Sequence, residues 1–301
     1  MRTKKSVLHQ EGFGYSVFTV FNYIFLSFVI LVTAYPVYFV VIASFSDPSS
    51  LMTNYGLMWL PKTPLTISAY KLVFRHPLIL SSYRNTFFIL VVGLVFNMTL
   101  TSLGAYFLCL RNSMLRRPLS VFIIFTMYFS GGLVPMYLNV QSLGLINSVW
   151  ALIIPGAIST YNMLILRSAF SNVPDSLIEA AKLDGATHFQ ILTKIFLPLS
   201  GATLAVMVLY YGVGHWNAWF NASIFIQTPS KFPLQLVLRN ILLLGANQDF
   251  NATMTDDTTT ALMAELIKYA LIVVSTAPIL MLYPFLQKFF TKGVMIGAIK
   301  G

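Results

Sequence analysis

The stretch Glu179-Ala-Ala-Lys-Leu-Asp-Gly-Ala186, continued at Ile195-Phe-Leu-Pro198, is a short polar segment inside a very apolar chain. Three charged residues, Glu179, Lys182 and Asp184, fall within six positions of it, although only 9% of all residues are charged. Two strongly hydrophobic segments, about 151–169 and 195–213, flank it. A turn between two membrane-length segments is expected to face water. Such a turn can simply connect the two segments, or it can also bind a partner.

The composition of the chain predicts an integral membrane protein. Hydrophobic residues make up 57% of its 301 residues, and its share of charged residues is far below the rough quarter found in soluble domains. The excess of basic residues, 19 Lys and Arg against 9 Asp and Glu, is typical of cytoplasmic loops and does not by itself indicate nucleic-acid binding. The single cysteine, Cys109, cannot form an internal disulfide and is interpreted as a packing residue.

Six segments are long and apolar enough to cross a bilayer as helices, which takes about 20 residues. The first exceeds the apolar core of a cleaved signal peptide. The third is interrupted by Ser130-Gly-Gly132 and Pro135, where we expect a bend or an unwound end, and the fourth carries Pro155-Gly156 near its start. The second has small or polar packing positions at Asn97, Thr99, Thr101, Ser102 and Gly104. The predicted fold class is an all-α membrane protein with six transmembrane helices, at about 17–42, 85–110, 119–138, 149–169, 195–214 and 262–286.

The distribution of Lys and Arg predicts the orientation. With the N-terminus inside, cytoplasmic segments hold twelve of these residues and outer segments hold six, with Lys268 within the sixth span. Because cytoplasmic loops are enriched in Lys and Arg, both termini are predicted to be cytoplasmic. The predicted parts are a cytoplasmic N-terminal segment (1–16), one transmembrane domain (17–290) with a cytoplasmic loop (171–198) and a long extracellular loop (216–261), and a cytoplasmic tail (291–301).

Two outer segments have features of their own. Residues 46–83 are polar and contain four prolines, which break regular structure. Leu234–Leu244, within the long loop, has 11 residues and is too short to span. We expect it to lie at the surface as a helix or to re-enter the membrane part-way.

The charged loop is predicted to contain two short helices. Pro174 suits the first turn of a helix, Asp175 favours the positive pole of its dipole, and Gly185 ends it because glycine accepts backbone angles that other residues avoid. A second helix, beginning near Phe189, leads into the fifth span with a bend at Pro198. Leu177, Ala180, Ala181 and, one turn on, Asp184 fall at a spacing of three to four residues, so one side of the first helix is small and apolar up to the charged Asp184. From these residues alone, a docking surface for another protein and a capped loop without a partner both stay open.

The spacing in this loop resembles the EAA signature of ABC-importer permeases. Glu179-Ala-Ala181 is followed after three residues by Gly185, after nine more by Ile195, and after one more by Leu197-Pro198, which matches the family pattern at every position. Two further stretches resemble the MetI-like, binding-protein-dependent carbohydrate uptake family: the C-terminal Lys292–Gly301 and the pair Trp216-Asn217. Ser130-Gly-Gly-Leu-Val-Pro-Met-Tyr137 resembles the LplC or YtcP branch, which carries complex oligosaccharides.

The resemblance implies a type I ABC importer permease fold in a bacterial cell membrane, in contact with lipid and not with nucleic acid. It implies a subunit that moves a carbohydrate, an oligosaccharide, by alternating access. The implied partners are a second non-identical permease, two copies of an ABC ATPase and an extracellular lipid-anchored or periplasmic sugar-binding protein. ATP and Mg would bind at the ATPases and no cofactor at this chain, which lacks a G-x-x-x-x-G-K-[ST] phosphate loop. The residues implied to couple the ATPase to transport are Glu179, Ala180, Ala181, Asp184, Gly185, Ile195, Leu197 and Pro198.

Candidate substrate contacts lie at the outer end of the fifth span. Sugars are bound by aromatic faces and by polar groups that match their hydroxyls, but aromatic residues also gather at membrane interfaces, and both interpretations stay open. Glu265 and Lys268 could pair within the bundle or reach the outer interface. Loop 216–261 either touches the binding protein or forms a packed cap, and the tail either reaches the ATPases or frays. The candidate substrate-path residues are Tyr210, Tyr211, His215, Trp216, Asn217, Trp219 and Asn221.

Three alternative functions are compatible with a membrane protein of this composition. A permease of the same class for another solute, such as an amino acid or phosphate, is disfavoured by the tail and by Trp216-Asn217. A secondary transporter is disfavoured because such proteins often have internal repeats with interrupted helices, and no convincing repeat relates the two halves. A membrane-embedded enzyme lacks support because the four histidines, His9, His76, His188 and His215, are scattered and no metal-spaced cluster includes them.

Overall fold

A computed structural model of the protein describes residues 13–53, 57–110, 114–244 and 266–281. Helices dominate this part of the chain, and it contains no strand. The long helices are α1 (Phe13–Ser44) and α4 (Pro77–Cys109). The shorter ones are α2 (Pro48–Thr53), α3 (Ser68–Arg75), α5 (Arg116–Tyr128), α6 (Leu133–Ser142), α7 (Thr160–Phe170), α8 (Asp175–Leu183), α9 (His188–Ile191), α10 (Leu197–Leu199), α11 (Gly201–Asn217), α12 (Phe220–Phe225), α13 (Leu234–Leu244) and α14 (Leu266–Met281).

Helix α4 is the helix against which many of the others pack. It packs against α7, α11 and α13, and the middle of its buried face is small or polar: Gly93, Asn97, Thr101 and Ser102 are all buried. Small side chains let neighbouring backbones approach closely, which is how helices associate in lipid. Of the predicted packing positions on this helix, Thr99 is exposed.

Two hydrophobic clusters lie at opposite ends of α4. We name them after the predicted orientation: the outer cluster joins the first turns of α4 to α3, α13, α14 and Trp216, and the inner cluster joins its last turns to α7 and the charged loop. About 20 residues separate Thr86 from Tyr106, so the two ends are about 30 Å apart. Helix α1 is apolar and exposed along most of its length, as suits a helix surrounded by lipid.

Membrane-length helices account for part of the predicted topology. Within the described ranges, α1 and α4 are each long and apolar enough to cross a bilayer. Two bent pairs reach that length together: α5 with α6, and the helical segment His188–Leu199 with α11. The C-terminal tail and most of residues 245–286 lie outside the described residues, so six crossings with both termini cytoplasmic stays a prediction.

The third predicted span is broken where the glycines predicted it. The chain bends by 118° between α5 and α6, across residues 129–132. Gly132 has φ +85°, a backbone angle that side chains with a Cβ rarely adopt. Pro135 lies in the first turn of α6, where its missing N–H leaves no hydrogen bond unmade.

The prediction of one helix over 149–169 is wrong. Val149–Leu152 form a 3₁₀ turn, residues 153–159 are not a regular helix, and only Thr160–Phe170 form an α-helix. Pro155 has no N–H to donate and Gly156 gains little from helix, so the apolar run does not hold a continuous helix. The Ser159 side chain then accepts a hydrogen bond from the Asn162 amide (3.3 Å) and begins α7.

The fifth predicted span, 195–214, also needs correction. A π turn at Leu192–Phe196 and α10 continue α9, and the chain bends by 86° before α11 begins at Gly201. The break falls at the buried Ser200, two residues after the predicted bend at Pro198. Proline removes one hydrogen bond of the helix and crowds the preceding turn, which explains the disturbance on both sides of it.

The outer segments are more ordered than predicted. The polar stretch 46–83 contains α2, α3 and the first turns of α4, and its prolines start helices at Pro48 and Pro77 instead of preventing them. Helix α13 is buried on one face, while its Leu243 is 67% exposed. Its Leu234, Val237 and Leu238 are buried in the outer cluster, as expected for a helix that re-enters the bundle.

Candidate functional site

The charged loop folds as two helices whose ends are fixed by local sequence. Helix α8 ends in a Schellman motif around Gly185 (φ +75°): the Ala186 amide donates to the Ala181 carbonyl (2.9 Å), and the Gly185 amide donates to the Lys182 carbonyl (3.0 Å). Helix α9 begins with a capping box in which Thr187 and Gln190 bond to each other's backbone amides (3.3 and 2.8 Å). The predicted end of the first helix at Gly185 is therefore confirmed.

An aromatic platform supports the loop. Tyr106 of α4, Phe170 of α7 and Phe196 of the π turn pack edge to face, with ring centroids 5.1–5.2 Å apart. The Tyr106 hydroxyl also hydrogen-bonds His188 Nδ1 (2.7 Å), which ties the start of α9 to the end of α4. Sequence reasoning missed this pair, because the two residues are 82 positions apart.

The predicted coupling residues divide into two groups. Ala181, Ile195 and Leu197 are partly buried against the inner cluster, so they hold the loop to the bundle. Pro198 is exposed at the end of the loop. The other four are exposed to solvent on α8 and on the turn after it: Glu179, Ala180, Asp184 and Gly185.

The exposed face of the loop carries apolar side chains as well as charges. Leu183 is 89% exposed and Phe189 is 69% exposed. The small side chain of the exposed Ala180, between Glu179 and Lys182, leaves room for another molecule to approach the helix closely. An apolar surface rimmed by charges at the end of a bundle is typical of a protein-binding site. The structure thus presents what a docking partner needs: small residues, exposed leucine and phenylalanine side chains, and carboxylates.

A cleft of about 630 Å³ lies between α8, the end of α4 and the start of α5. Charged groups of both signs line it, including Arg116, Asp175, Glu179 and Lys182, and the His188 ring lies beside them. Within the described ranges, no three His, Cys, Asp or Glu side chains are grouped to hold a metal ion. The cleft is therefore suited to side chains of a neighbouring protein, which can pair with either charge.

Three of the predicted substrate-path residues bind other parts of this chain. The Tyr211 hydroxyl hydrogen-bonds Thr101 Oγ1 (2.7 Å) and accepts from the Ser159 amide (3.0 Å). Trp216 is buried, and its indole N–H donates to the Ser275 carbonyl (3.2 Å). His215 is partly buried, and its Nε2 hydrogen-bonds the side-chain oxygen of Asn97 (2.6 Å).

The other four predicted substrate-path residues are accessible. Tyr210, Asn217 and Trp219 are exposed and Asn221 is partly exposed. The proposed cluster of Trp216 with Trp219 is thus divided, since one indole packs inside the bundle and the other lies at its surface.

The Asn97 side chain forms hydrogen bonds with the backbone of the irregular segment 153–159. Its amide nitrogen donates to the carbonyls of Gly156 (2.8 Å) and Ala157 (2.9 Å), and its oxygen pairs with His215. Non-helical backbone at membrane depth must find partners inside the protein, and here Asn97 supplies them for two carbonyls and Tyr211 for the Ser159 amide. The sequence identifies Asn97 as a polar packing position but does not indicate which backbone it meets.

Comparison with known proteins gives a consistent family. Residues 98–296 match the model of the family described as "Binding-protein-dependent transport system inner membrane component". The chain is 42% identical over 286 residues to protein LplC of Bacillus subtilis (strain 168), covering 95% of both chains. It is 37% identical over 284 residues to the polygalacturonan/rhamnogalacturonan transport system permease protein YtcP of the same organism, covering 94% of this chain and 98% of the relative.

A solved structure resembles the whole fold. It is the crystal structure of a bacterial ABC transporter involved in the import of the acidic polysaccharide alginate, with a TM-score of 0.86 and 31% identity over 93% of this chain and 98% of the matched one. The fold, the loop and these relatives lead to one conclusion. The chain belongs to the family of binding-protein-dependent transport system inner membrane components.

Proposed function

We propose that this chain is the membrane-spanning permease subunit of an ATP-driven importer that takes up an oligosaccharide by alternating access. The two relatives and the solved structure support this, since YtcP is named for polygalacturonan and rhamnogalacturonan and the solved transporter imports alginate. The proposed setting is a bacterial cell membrane, crossed six times with both termini in the cytoplasm.

The observation that carries the proposal is the construction of the charged loop. Its exposed residues Glu179, Ala180, Asp184 and Gly185 would contact an ATPase, while Ala181 and the aromatic platform hold the loop to the bundle. The sequence has no phosphate-loop motif, so ATP hydrolysis, with its Mg, is assigned to two copies of a partner ATPase.

A continuous mechanical route leads from the loop into the bundle. The segment His188–Leu199 runs into α11 through the bend at Ser200. Helix α11 in turn holds the irregular segment 153–159 through Tyr211, and His215 of the same helix pairs with Asn97. Motion of the docked loop would therefore shift α11 and the irregular segment together. This is a concrete means of switching between inward-facing and outward-facing states.

The remaining partners follow from the same proposal. A second, non-identical permease would cover the exposed faces of the bundle, and an extracellular binding protein would deliver the sugar at the end opposite the loop. Tyr210, Asn217, Trp219 and Asn221 are the accessible candidates for the sugar path. Tyr211, His215 and Trp216 would act by holding the helices that form it.

Uptake by the reconstituted complex tests the proposal. The chain, its second permease and the ATPase are placed in proteoliposomes with the binding protein outside and ATP inside. We expect labelled oligosaccharide to accumulate only when ATP and the binding protein are both present. Accumulation driven by an ion gradient without ATP, or uptake of amino acids or phosphate but no oligosaccharide, would contradict the proposal.

A further inference from the structure

Arg239 is held in a fixed position on the outer half of the bundle. Its guanidinium carbon lies 4.3 Å from the centroid of the Trp219 ring, a cation–π contact. The helix that carries it, α13, is anchored on both sides of this residue by the buried Leu238 and Ile241. The Leu234 amide also donates to Thr86 Oγ1 of α4 (2.8 Å). The arginine therefore sits on a rigid element and against a rigid aromatic surface.

The guanidinium lines an open pocket of about 420 Å³ between α13 and α14. The wall is mostly apolar, with Gln235 and Ser275 as further polar groups beside Trp219. In the part of the chain that the structure describes, no hydrogen bond or ion pair engages Arg239, and its guanidinium lies over the Trp219 ring. A guanidinium has five N–H donors, and in apolar surroundings a charge without a partner is costly.

The pocket lies at the end of α4 that is remote from the charged loop. Helix α13 is bonded to Thr86 near the start of α4, and the loop packs on Tyr106 near its end. If the loop meets an ATPase in the cytoplasm, the pocket belongs to the side on which the sugar arrives.

We propose that this pocket binds a carboxylate of the substrate, so that the imported oligosaccharide contains uronic acid. The inference rests on the proposed function and narrows its substrate class. The planar fork of Arg239 matches a carboxylate with two parallel hydrogen bonds, a geometry that lysine cannot supply. Trp219 offers an aromatic surface to the C–H groups of a sugar ring, and the Gln235 amide can bond a hydroxyl. A neutral sugar would leave the guanidinium without its counter-charge.

Binding to the purified transporter, without the binding protein, tests the inference directly. Tetragalacturonate is compared with its methyl ester, which has the same length and linkages but no negative charge, by saturation-transfer NMR titration. We expect the acid to bind at least tenfold more tightly than the ester. Because a charge-assisted hydrogen bond lost to the substrate costs about tenfold or more in affinity, Arg239→Gln should weaken the acid by that factor and the ester less than twofold.

Two further variants make the test specific. Arg239→Lys keeps the charge but not the fork, so it should recover only part of the affinity for the acid. Lys71→Gln removes one positive charge from an exposed position on α3, which packs in the same outer cluster. It should leave both affinities unchanged, so a loss there would mean that net charge alone attracts the acid.

Other results would overturn the inference. Equal weakening of acid and ester by Arg239→Gln would make Arg239 a structural residue. Loss of the second permease from the purified complex would show that a partner carboxylate occupies the pocket, and loss of bound phosphatidylglycerol would show a lipid headgroup there. A transporter that carries only neutral oligosaccharides would refute the uronic-acid inference and leave the proposed function intact. A transporter that carries no oligosaccharide would refute the proposed function itself.

Discussion

Replacing Asn97 with leucine should destabilise the protein more than any other single loss of a polar side chain discussed above. The change keeps the approximate size of the side chain and removes three hydrogen bonds, to the Gly156 and Ala157 carbonyls and to His215. Asn97 is 1% exposed, so water cannot replace them. Hydrogen bonds between helices in membranes contribute about 0.6–2 kcal/mol each, which gives about 2–6 kcal/mol for the three together.

The assay is the free energy of unfolding of the purified chain in mixed micelles, titrated with denaturing detergent. Thr99→Ala is the matched control, since Thr99 is exposed and lies two residues away on the opposite side of the same helix. We expect the control to change the free energy of unfolding by less than 0.5 kcal/mol, the usual range for surface substitutions of about ±0.5 kcal/mol. A loss below 1 kcal/mol for Asn97→Leu would refute the argument that this side chain closes the irregular segment; about 1 kcal/mol is the effect of one ordinary hydrogen bond.

Three further substitutions test two other features of the fold. A Cβ built at Gly93 would lie 2.5 Å from His215 Nε2, and one at Gly104 would lie 2.5 Å from the sulfur of Met163, a flexible side chain. In the same detergent titration, Gly93→Ala should therefore lower the free energy of unfolding clearly, and Gly104→Ala much less. Equal effects of the two substitutions would contradict this explanation. The Ser49 hydroxyl, and after it a backbone amide of α2, hold the pKa of the Asp47 carboxyl below its ordinary value. Because that pKa is lower in the folded protein, the stabilisation is present above about pH 4 and is lost as the pH falls through the folded value. The protection of the α2 amides, measured as the intrinsic exchange rate at each pH divided by the observed rate, should therefore fall on acidification in the wild type and stay constant in Asp47→Asn.

Local signals explain why the charged loop could be predicted well. The end of α8 depends on one glycine and the start of α9 on a capping box, and both operate within a few residues. The break before α6 likewise follows from Gly132, because glycine adopts a positive φ that residues with a Cβ rarely adopt. Such features can be recognised in a sequence without knowledge of what packs against them.

Long-range contacts explain what could not be predicted. The apolar run 149–169 has the composition of a span, but its first half is irregular because Asn97, 59 and 60 positions away, satisfies the free carbonyls. Trp216 and Tyr211 have the chemistry of sugar-binding residues, and only the fold shows that both are buried. Arg239 lies in the stretch Leu234–Leu244 of the predicted long outer loop, and its contact with Trp219 appears only in three dimensions.

The central claim, that the charged loop receives motion from a partner ATPase, is tested most directly at Gly185. A Cβ there would meet nothing within 4 Å in this chain, and the same holds at Gly144 in the turn after α6. Both glycines have positive φ, +75° and +67°, so tryptophan costs each site a similar backbone strain of about 1–2 kcal/mol. Backbone strain therefore does not account for a difference between the two variants.

The measurement is the amount of ATPase subunit that co-purifies with each variant from membranes containing equal amounts of the permease. We predict that Gly185→Trp loses the ATPase and ATP-driven uptake, while Gly144→Trp retains the ATPase. Wild-type levels of ATPase and uptake in Gly185→Trp would contradict the account.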